Sequence, residues 1–272
     1  KSFWGVAAAA AVKDGILTLD EKASDTLTEW RADPVKSQIT LRQILSLTSG
    51  LKPAQIGRPP AYADAIAFPS VAPPGSRFDY GPLNFQIFGE VLRRKLQRYE
   101  GGRYATPLDY LKARILDPLG VRPTAWRTGA DGYPHLPSGA SLTARDWAKF
   151  GEFVRLGGAS VVDSKAFEEN FKGSPANAAY GLTWWLNRRP SQEAYDASRT
   201  MQVASDLYNH PRRDELPADL VMAAGAGNQR LYIISSQKLV VVRQYPKVFE
   251  FGRRSQIREY SDVEFLLALL AP

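Results

Sequence analysis

Residues 2–12 read Ser-Phe-Trp-Gly-Val-Ala-Ala-Ala-Ala-Ala-Val and carry no charge. A stretch this rich in alanine is helical, and a helix with no polar face is a buried one. It is expected to stop near Asp14-Gly15, where glycine is the usual end signal. A fold that encloses a whole helix needs a large core. The chain's 272 residues supply it, because chains near that length bury roughly 75% of the surface they expose when unfolded. No Ser, Thr, Asp or Asn precedes the helix, its pattern is already running at residue 1, and there is no initiator Met. Lys1 in the first turn opposes the helix dipole unless something nearby needs its charge. The expectation is that the chain begins inside an element, with part of the fold preceding Lys1.

Composition removes several classes of function. The absence of cysteine excludes disulfides, thiolate metal sites and cysteine nucleophiles. With only two histidines, His135 and His210, a multi-histidine metal site lacks its ligands. Both sit in proline-flanked polar loops and read as surface residues. No P-loop, dinucleotide fingerprint or metal-ligand spacing occurs, so no metal and no cofactor is expected. The net charge is +7, but the basic residues fall in scattered doublets such as Arg93-Arg94 and Arg212-Arg213. That pattern reads as solubility or weak steering rather than a nucleic-acid partner. The apolar run Phe265 to Ala271 falls far short of the ~20 residues of a membrane span.

Along the chain, Glu21 to Trp30 is polar and helix-compatible. Thr40 caps a helix carrying Leu41, Ile44 and Leu45, which ends at Thr48-Ser49-Gly50. Residues 52–76 are proline-rich and predict a long loop with one short helix near Ala61 to Ala67. Asn84 to Gln97 and Pro107 to Leu116 have helical apolar spacing, and Thr143-x-x-Asp146 opens a helix running through Arg155. Tyr180 to Leu186 reads as a strand, with Trp184 and Trp185 on opposite faces, one in the core and one free to wall a pocket. Leu231 to Ile234 and Leu239 to Gln244 predict a hairpin, and Ser261 to Leu270 a terminal helix.

Three places stand out as polar residues beside regular elements: Lys1, Asp79-Tyr80 after the proline-rich loop, and Ala223-Ala224-Gly225-Ala226-Gly227-Asn228-Gln229 before the hairpin. Singly, each has an ordinary reading as a solvated lysine, a core tyrosine or a strand turn. Together, their order resembles the serine β-lactamase and penicillin-binding-protein superfamily. The likeness is to its class C β-lactamase-like branch, which also holds esterases and nylon-oligomer hydrolases. Lys1-Ser2-Phe3, Gly15 to Asp20, the block Ile39-Thr40-Leu41-Arg42-Gln43-Ile44-Leu45-Ser46-Leu47-Thr48-Ser49-Gly50-Leu51, Pro74 to Tyr80, Leu142 to Asp146, Tyr180 to Trp185 and Gly225 to Gln229 carry it.

The resemblance implies roles. Lys1 matches the lysine of an S-x-x-K motif, whose serine would lie three residues upstream, one helical turn away on the same face. Ser2 is no substitute, since its position faces away from Lys1. Tyr80 matches the tyrosine of Y-x-N, but Pro82 replaces the asparagine, leaving Asn84 as a weak stand-in. Ala223-Ala224-Gly225 replaces K-T-G. There Gly225 would admit substrate close to the strand, and the Ala226 N–H would serve an oxyanion hole. The cation of that motif is absent unless Arg230 or Arg243 supplies one.

The implied fold is α/β (α+β): an antiparallel sheet flanked by helices, with a largely helical subdomain. Residues 1–38 would begin the α/β domain, 39–175 form the helical subdomain, and 176–272 return to sheet and helix. The implied function is hydrolysis of a small-molecule ester or amide through a serine acyl-enzyme. Lys1 and Tyr80 would be catalytic, and Gly225, Ala226, Asn84 and Trp184 would surround the substrate. The altered second and third motifs keep a non-catalytic, penicillin-binding-like sensor as the alternative.

Overall fold

The computed structural model describes residues 1–198, 202–245 and 260–271. Helices α1 (Ser2–Lys13), α2 (Leu41–Leu45), α3 (Tyr62–Ala67), α4 (Leu83–Arg98) and α5 (Pro107–Leu111, continued by a π turn over Lys112–Leu116) come first. A two-stranded ribbon of β1 (Ala125–Trp126) and β2 (Ala140–Ser141) precedes α6 (Ala144–Arg155) and α7 (Ser164–Glu168). Then follow β3 (Trp185–Leu186), α8 (Gln192–Ser198), α9 (Gln202–Asn209), β4 (Val221–Gly225), β5 (Gln229–Ile234), β6 (Leu239–Arg243) and α10 (Asp262–Leu270). The main sheet is antiparallel in the order β3-β4-β5-β6. This mixed, helix-flanked antiparallel sheet is the arrangement that the resemblance implies.

Alternation along β5 builds the layers. Leu231 points to α6, where a Cβ added at Gly151 would stand 2.7 Å from its Cδ1. Arg230 and Tyr232 point the other way, to Asp262 at the start of α10. One face of the sheet thus meets α6 and the other α10. Residues Ser2 to Ala11 of α1 are all buried, as a chargeless helix requires. Phe3 meets Phe150 of α6 at 4.4 Å between ring centroids, and Trp4 donates its indole N–H to the Leu136 carbonyl at 2.8 Å.

Local signals account for several boundaries. Thr40 and Gln43 form a reciprocal capping box on α2, and Thr143 and Ser261 cap α6 and α10. Glu21 to Trp30 departs from expectation: it forms two single 3₁₀ turns, Ala23–Asp25 and Thr28–Trp30. Tertiary pairing takes the backbone there. Lys22 bridges Thr40, and the Ala23 N–H donates to the Ile39 carbonyl. In Tyr180 to Leu186 only the last two residues are strand. The Gly181 N–H donates to the Trp184 carbonyl at 2.9 Å, closing a turn in which Thr183 has φ +74°, a conformation rare for a β-branched residue.

Candidate active site

Lys1 sits at the N-terminal end of α1, and the packing beneath it sets its place. The Ser2 hydroxyl donates to the Thr183 carbonyl at 2.8 Å, so Ser2 does face away from Lys1 into the core. One turn on, Gly5 lies flush against the same support. A Cβ there would fall 2.0 Å from Asn170 Oδ1 and 2.4 Å from the Leu182 carbonyl oxygen. Asn170, fully buried, donates back to the Gly5 carbonyl. The strained Thr183 turn and Asn170 thus form a seat for the helix start. Gly5→Ala is expected to destabilise the fold by about 3 kcal/mol through overpacking. Chemical denaturation checks this, and an unchanged midpoint would refute the seat.

Tyr80 is positioned where the Pro74 to Tyr80 segment is held against the Ile39 to Leu51 block. The Asp79 N–H donates to the Leu47 carbonyl and the Gly75 N–H to the Thr48 carbonyl, at 3.0 and 2.7 Å. Gly50 is required where the two segments touch: it has φ +74°, and a Cβ would stand 2.2 Å from the Ala72 carbonyl oxygen. Tyr80 then enters an aromatic nest. Its ring stacks on Trp185 at 5.3 Å and meets Tyr180 edge-on at 6.2 Å. The Lys1 Nζ lies over that ring, 6.0 Å from its centroid, at the outer limit of a cation–π contact. The Tyr80 hydroxyl is buried and has no hydrogen-bond partner among the described residues.

Burial acts on the two groups in opposite senses. It lowers the Lys1 ammonium from its ordinary 10.5 to about 8, because a desolvated amine resists carrying charge. It pushes the Tyr80 phenol well above its ordinary 10, with the nearby Arg230 guanidinium pulling partway back.

The third segment is a tight hairpin. Gly225 closes β4 opposite Gln229, and Ala226, Gly227 and Asn228 make the loop. Gly227 and Asn228 both take positive φ, +71° and +55°, conformations that Gly and Asn tolerate best. Ala226 is exposed, and its N–H has no acceptor among the described residues. The Gln229 side chain acts as a surrogate strand: it accepts from the Tyr245 N–H and donates to the Tyr245 carbonyl, at 3.1 and 2.7 Å.

The remaining expectations separate. Of the two tryptophans, the ring beside Tyr80 is that of Trp185. Trp184 packs between Phe150 and Phe171 in the core, at 6.4 and 5.8 Å, so it does not wall the Tyr80 nest. Alternation alone leaves Trp184 and Trp185 equal, and it is Trp185 that stacks on Tyr80. Asn84 occupies the second position of α4, buried, with its Oδ1 unpaired among the described residues. Neither arginine stands in simply for the missing cation. Arg230 is 1% exposed and ion-paired with Asp262 at 2.7 Å. Arg243 donates to the Asn228 carbonyl at 2.7 Å and stacks on Tyr260 at 3.8 Å. No group of three or more His, Cys, Asp or Glu able to hold a metal occurs among the described residues. None of their helices is long and apolar enough to cross a membrane.

Comparison with known proteins bears on the fold and the family. The class C beta-lactamase from Rhodobacter sphaeroides is 18% identical, aligning over 90% of this chain and 79% of its own with a TM-score of 0.60. EstCE1, a hydrolase with promiscuous acyltransferase activity, is 17% identical over 92% of this chain and 78% of its own, with a TM-score of 0.61. A penicillin-binding-protein homolog from Caulobacter crescentus is 19% identical over 88% and 74%, with a TM-score of 0.58. At such identities these likenesses show the fold. No curated protein matches the chain. The family model described as Beta-lactamase matches residues 1–250, and on that match, running from Lys1 through the Tyr80 nest and past the Gly225 hairpin, the chain belongs to the beta-lactamase family.

Proposed function

We propose that this protein hydrolyses short esters or small amides through a serine acyl-enzyme, with Lys1 and Tyr80 as the proton-handling pair. The carrying observation is their opposed setting. The Lys1 Nζ lies 6.0 Å from the centroid of the Tyr80 ring, and burial lowers the lysine to about 8 while raising the tyrosine. Groups driven apart in this way divide into base and acid. Neutral Lys1 accepts the proton of a serine three residues ahead of it as that Oγ bonds to the acyl carbon. Tyr80, which keeps its proton through neutral pH, protonates the leaving oxygen or nitrogen as the bond to the acyl carbon breaks. The Lys1 ammonium then returns a proton to Tyr80. Lys1 then takes a proton from water as its oxygen bonds to the acyl carbon and passes that proton to the serine Oγ as the acyl–serine bond breaks, releasing the acid. The Ala226 N–H, free of any described acceptor, would receive the carbonyl oxygen as it gains charge.

The residues at the altered motif positions favour an uncharged substrate. Ala223 carries no cation, Pro82 has no side-chain amide, and the nearby Arg230 is committed to Asp262. A charge-assisted hydrogen bond to a substrate carboxylate contributes roughly 1.5–3 kcal/mol, or about ten- to a hundredfold in binding. Short acyl esters need no such bond. The acyltransferase activity of the structurally similar EstCE1 supports the same chemistry. The full-length protein is expected to turn over p-nitrophenyl acetate or butyrate readily and nitrocefin poorly, compared as kcat/KM. Nitrocefin outpacing the esters would overturn the substrate assignment, and a binding-only sensor would turn over neither.

A further inference from the structure

Arg230 raises a separate question, because its guanidinium is completely consumed by the protein. Its Nε donates to Asp262 Oδ1 at 2.7 Å and its Nη2 to Asp262 Oδ2 at 3.2 Å. Nη2 also reaches Asn228 Oδ1 at 3.4 Å. Nη1 donates to the Gly225 carbonyl at 3.3 Å and the Gln229 carbonyl at 3.1 Å. That makes five contacts for the five N–H donors a guanidinium possesses. Three of the five fall on one object, the 225–229 hairpin, at its first, fourth and last residues. The other two fix the guanidinium to Asp262, in the first turn of α10.

Asp262 is itself anchored. Besides Arg230 it accepts the Tyr232 hydroxyl at 2.5 Å, and that hydroxyl meets the Tyr260 hydroxyl at 2.7 Å. Asp206 accepts from the Val263 N–H and the Ser261 hydroxyl, both at 3.1 Å, pinning the helix start from outside. Both members of the ion pair are 1% exposed. A pair this deep loses in desolvation most of what it gains in attraction, and apolar replacement of such pairs is often neutral for stability. Stability therefore does not explain why a charge is placed behind this loop.

We infer that Arg230, held by Asp262, is a positioning residue: it clamps the 225–229 hairpin from behind so that the Ala226 N–H points at the reacting carbonyl. The inference rests on the proposed acyl-transfer reading for what the loop does, but the clamp itself has a readout independent of activity. A donor that strengthens its bond only as charge develops affects turnover more than ground-state binding. Releasing the clamp should therefore lower kcat and spare KM.

The experiment uses the full-length protein with Asp262→Asn, Arg230→Lys and the paired Arg230→Met/Asp262→Leu. The last removes both charges together, so neither is left buried alone. Two quantities are read: kcat and KM for p-nitrophenyl butyrate, and amide hydrogen exchange of peptides spanning 225–229. The expected result for the paired variant is a thermal midpoint close to wild type and a kcat lowered ten- to a hundredfold. Its KM should stay within about twofold, and exchange should quicken at 225–229 but not in α1. Arg230→Lys, which keeps the charge but loses the fork, should fall in between. A folded paired variant with wild-type kcat, or unchanged exchange at 225–229, would overturn the clamp. Wild-type protein inactive on every ester would instead sink the acyl-transfer reading, leaving the exchange result to judge the clamp alone.

Discussion

Lys1→Arg is expected to lower ester turnover by about three decades, within the range lost when a positioned proton-transfer group is removed. Arginine retains the positive charge and a long apolar stem but does not deprotonate in proteins, so the variant isolates the base function from simple electrostatics. The wild type should show the corresponding signature in its pH profile. Burial brings the Lys1 ammonium to about 8, and the neutral amine is the reactive form. Turnover should therefore rise with pH along a limb centred near 8 and fall about tenfold per pH unit well below it. The arginine variant should lack that limb. A wild-type profile flat from pH 6 to 9, or a variant within tenfold of wild type, would remove Lys1 from the proton path.

Tyr80→Phe is expected to cost about two decades or more in kcat/KM while leaving the fold untouched. The ring's contacts with Trp185, Tyr180 and Phe78 all survive in phenylalanine. The hydroxyl has no described partner to strand, so its removal costs no hydrogen bond and relieves an unpaired buried group. Activity and stability should separate cleanly: a thermal midpoint equal to or above wild type, with ester turnover nearly abolished. Unchanged ester hydrolysis would overturn the mechanism. A sharp drop in midpoint would mean that the hydroxyl has a structural bond, and that the nest is not preformed for proton transfer.

How far the sequence reaches depends on whether a signal is local. Helix α1 was legible because ten consecutive buried positions leave no polar face to misassign. Helix α2 was legible because Thr40 bears its cap on its own side chain. The hairpin of β5 and β6 followed from alternation, although β5 begins at Gln229, two residues before the apolar run. Where tertiary contacts decide, the sequence is mute. Glu21 to Trp30 has helical composition, yet pairing with Ile39 and Thr40 holds it in 3₁₀ turns. Thr183 takes a backbone conformation that its own side chain disfavours, because Ser2 and Asn170 are packed against the turn. At the site, alternation put Trp184 and Trp185 on opposite sides but held no information on which side Tyr80 would occupy. By sequence alone Arg230 is an available cation, but Asp262, 32 residues away, claims it.

A fluorophosphonate probe reads the nucleophile itself. Full-length protein treated with the probe, digested and analysed by peptide mass spectrometry should carry a single covalent adduct on a serine three residues ahead of Lys1, one helical turn away on the same face. Adduct formation should slow in Lys1→Arg, since the base that activates the hydroxyl is gone. Well-folded protein that takes up no probe, or that carries it on a serine elsewhere in the chain, would contradict the Lys1–Tyr80 acyl-enzyme mechanism.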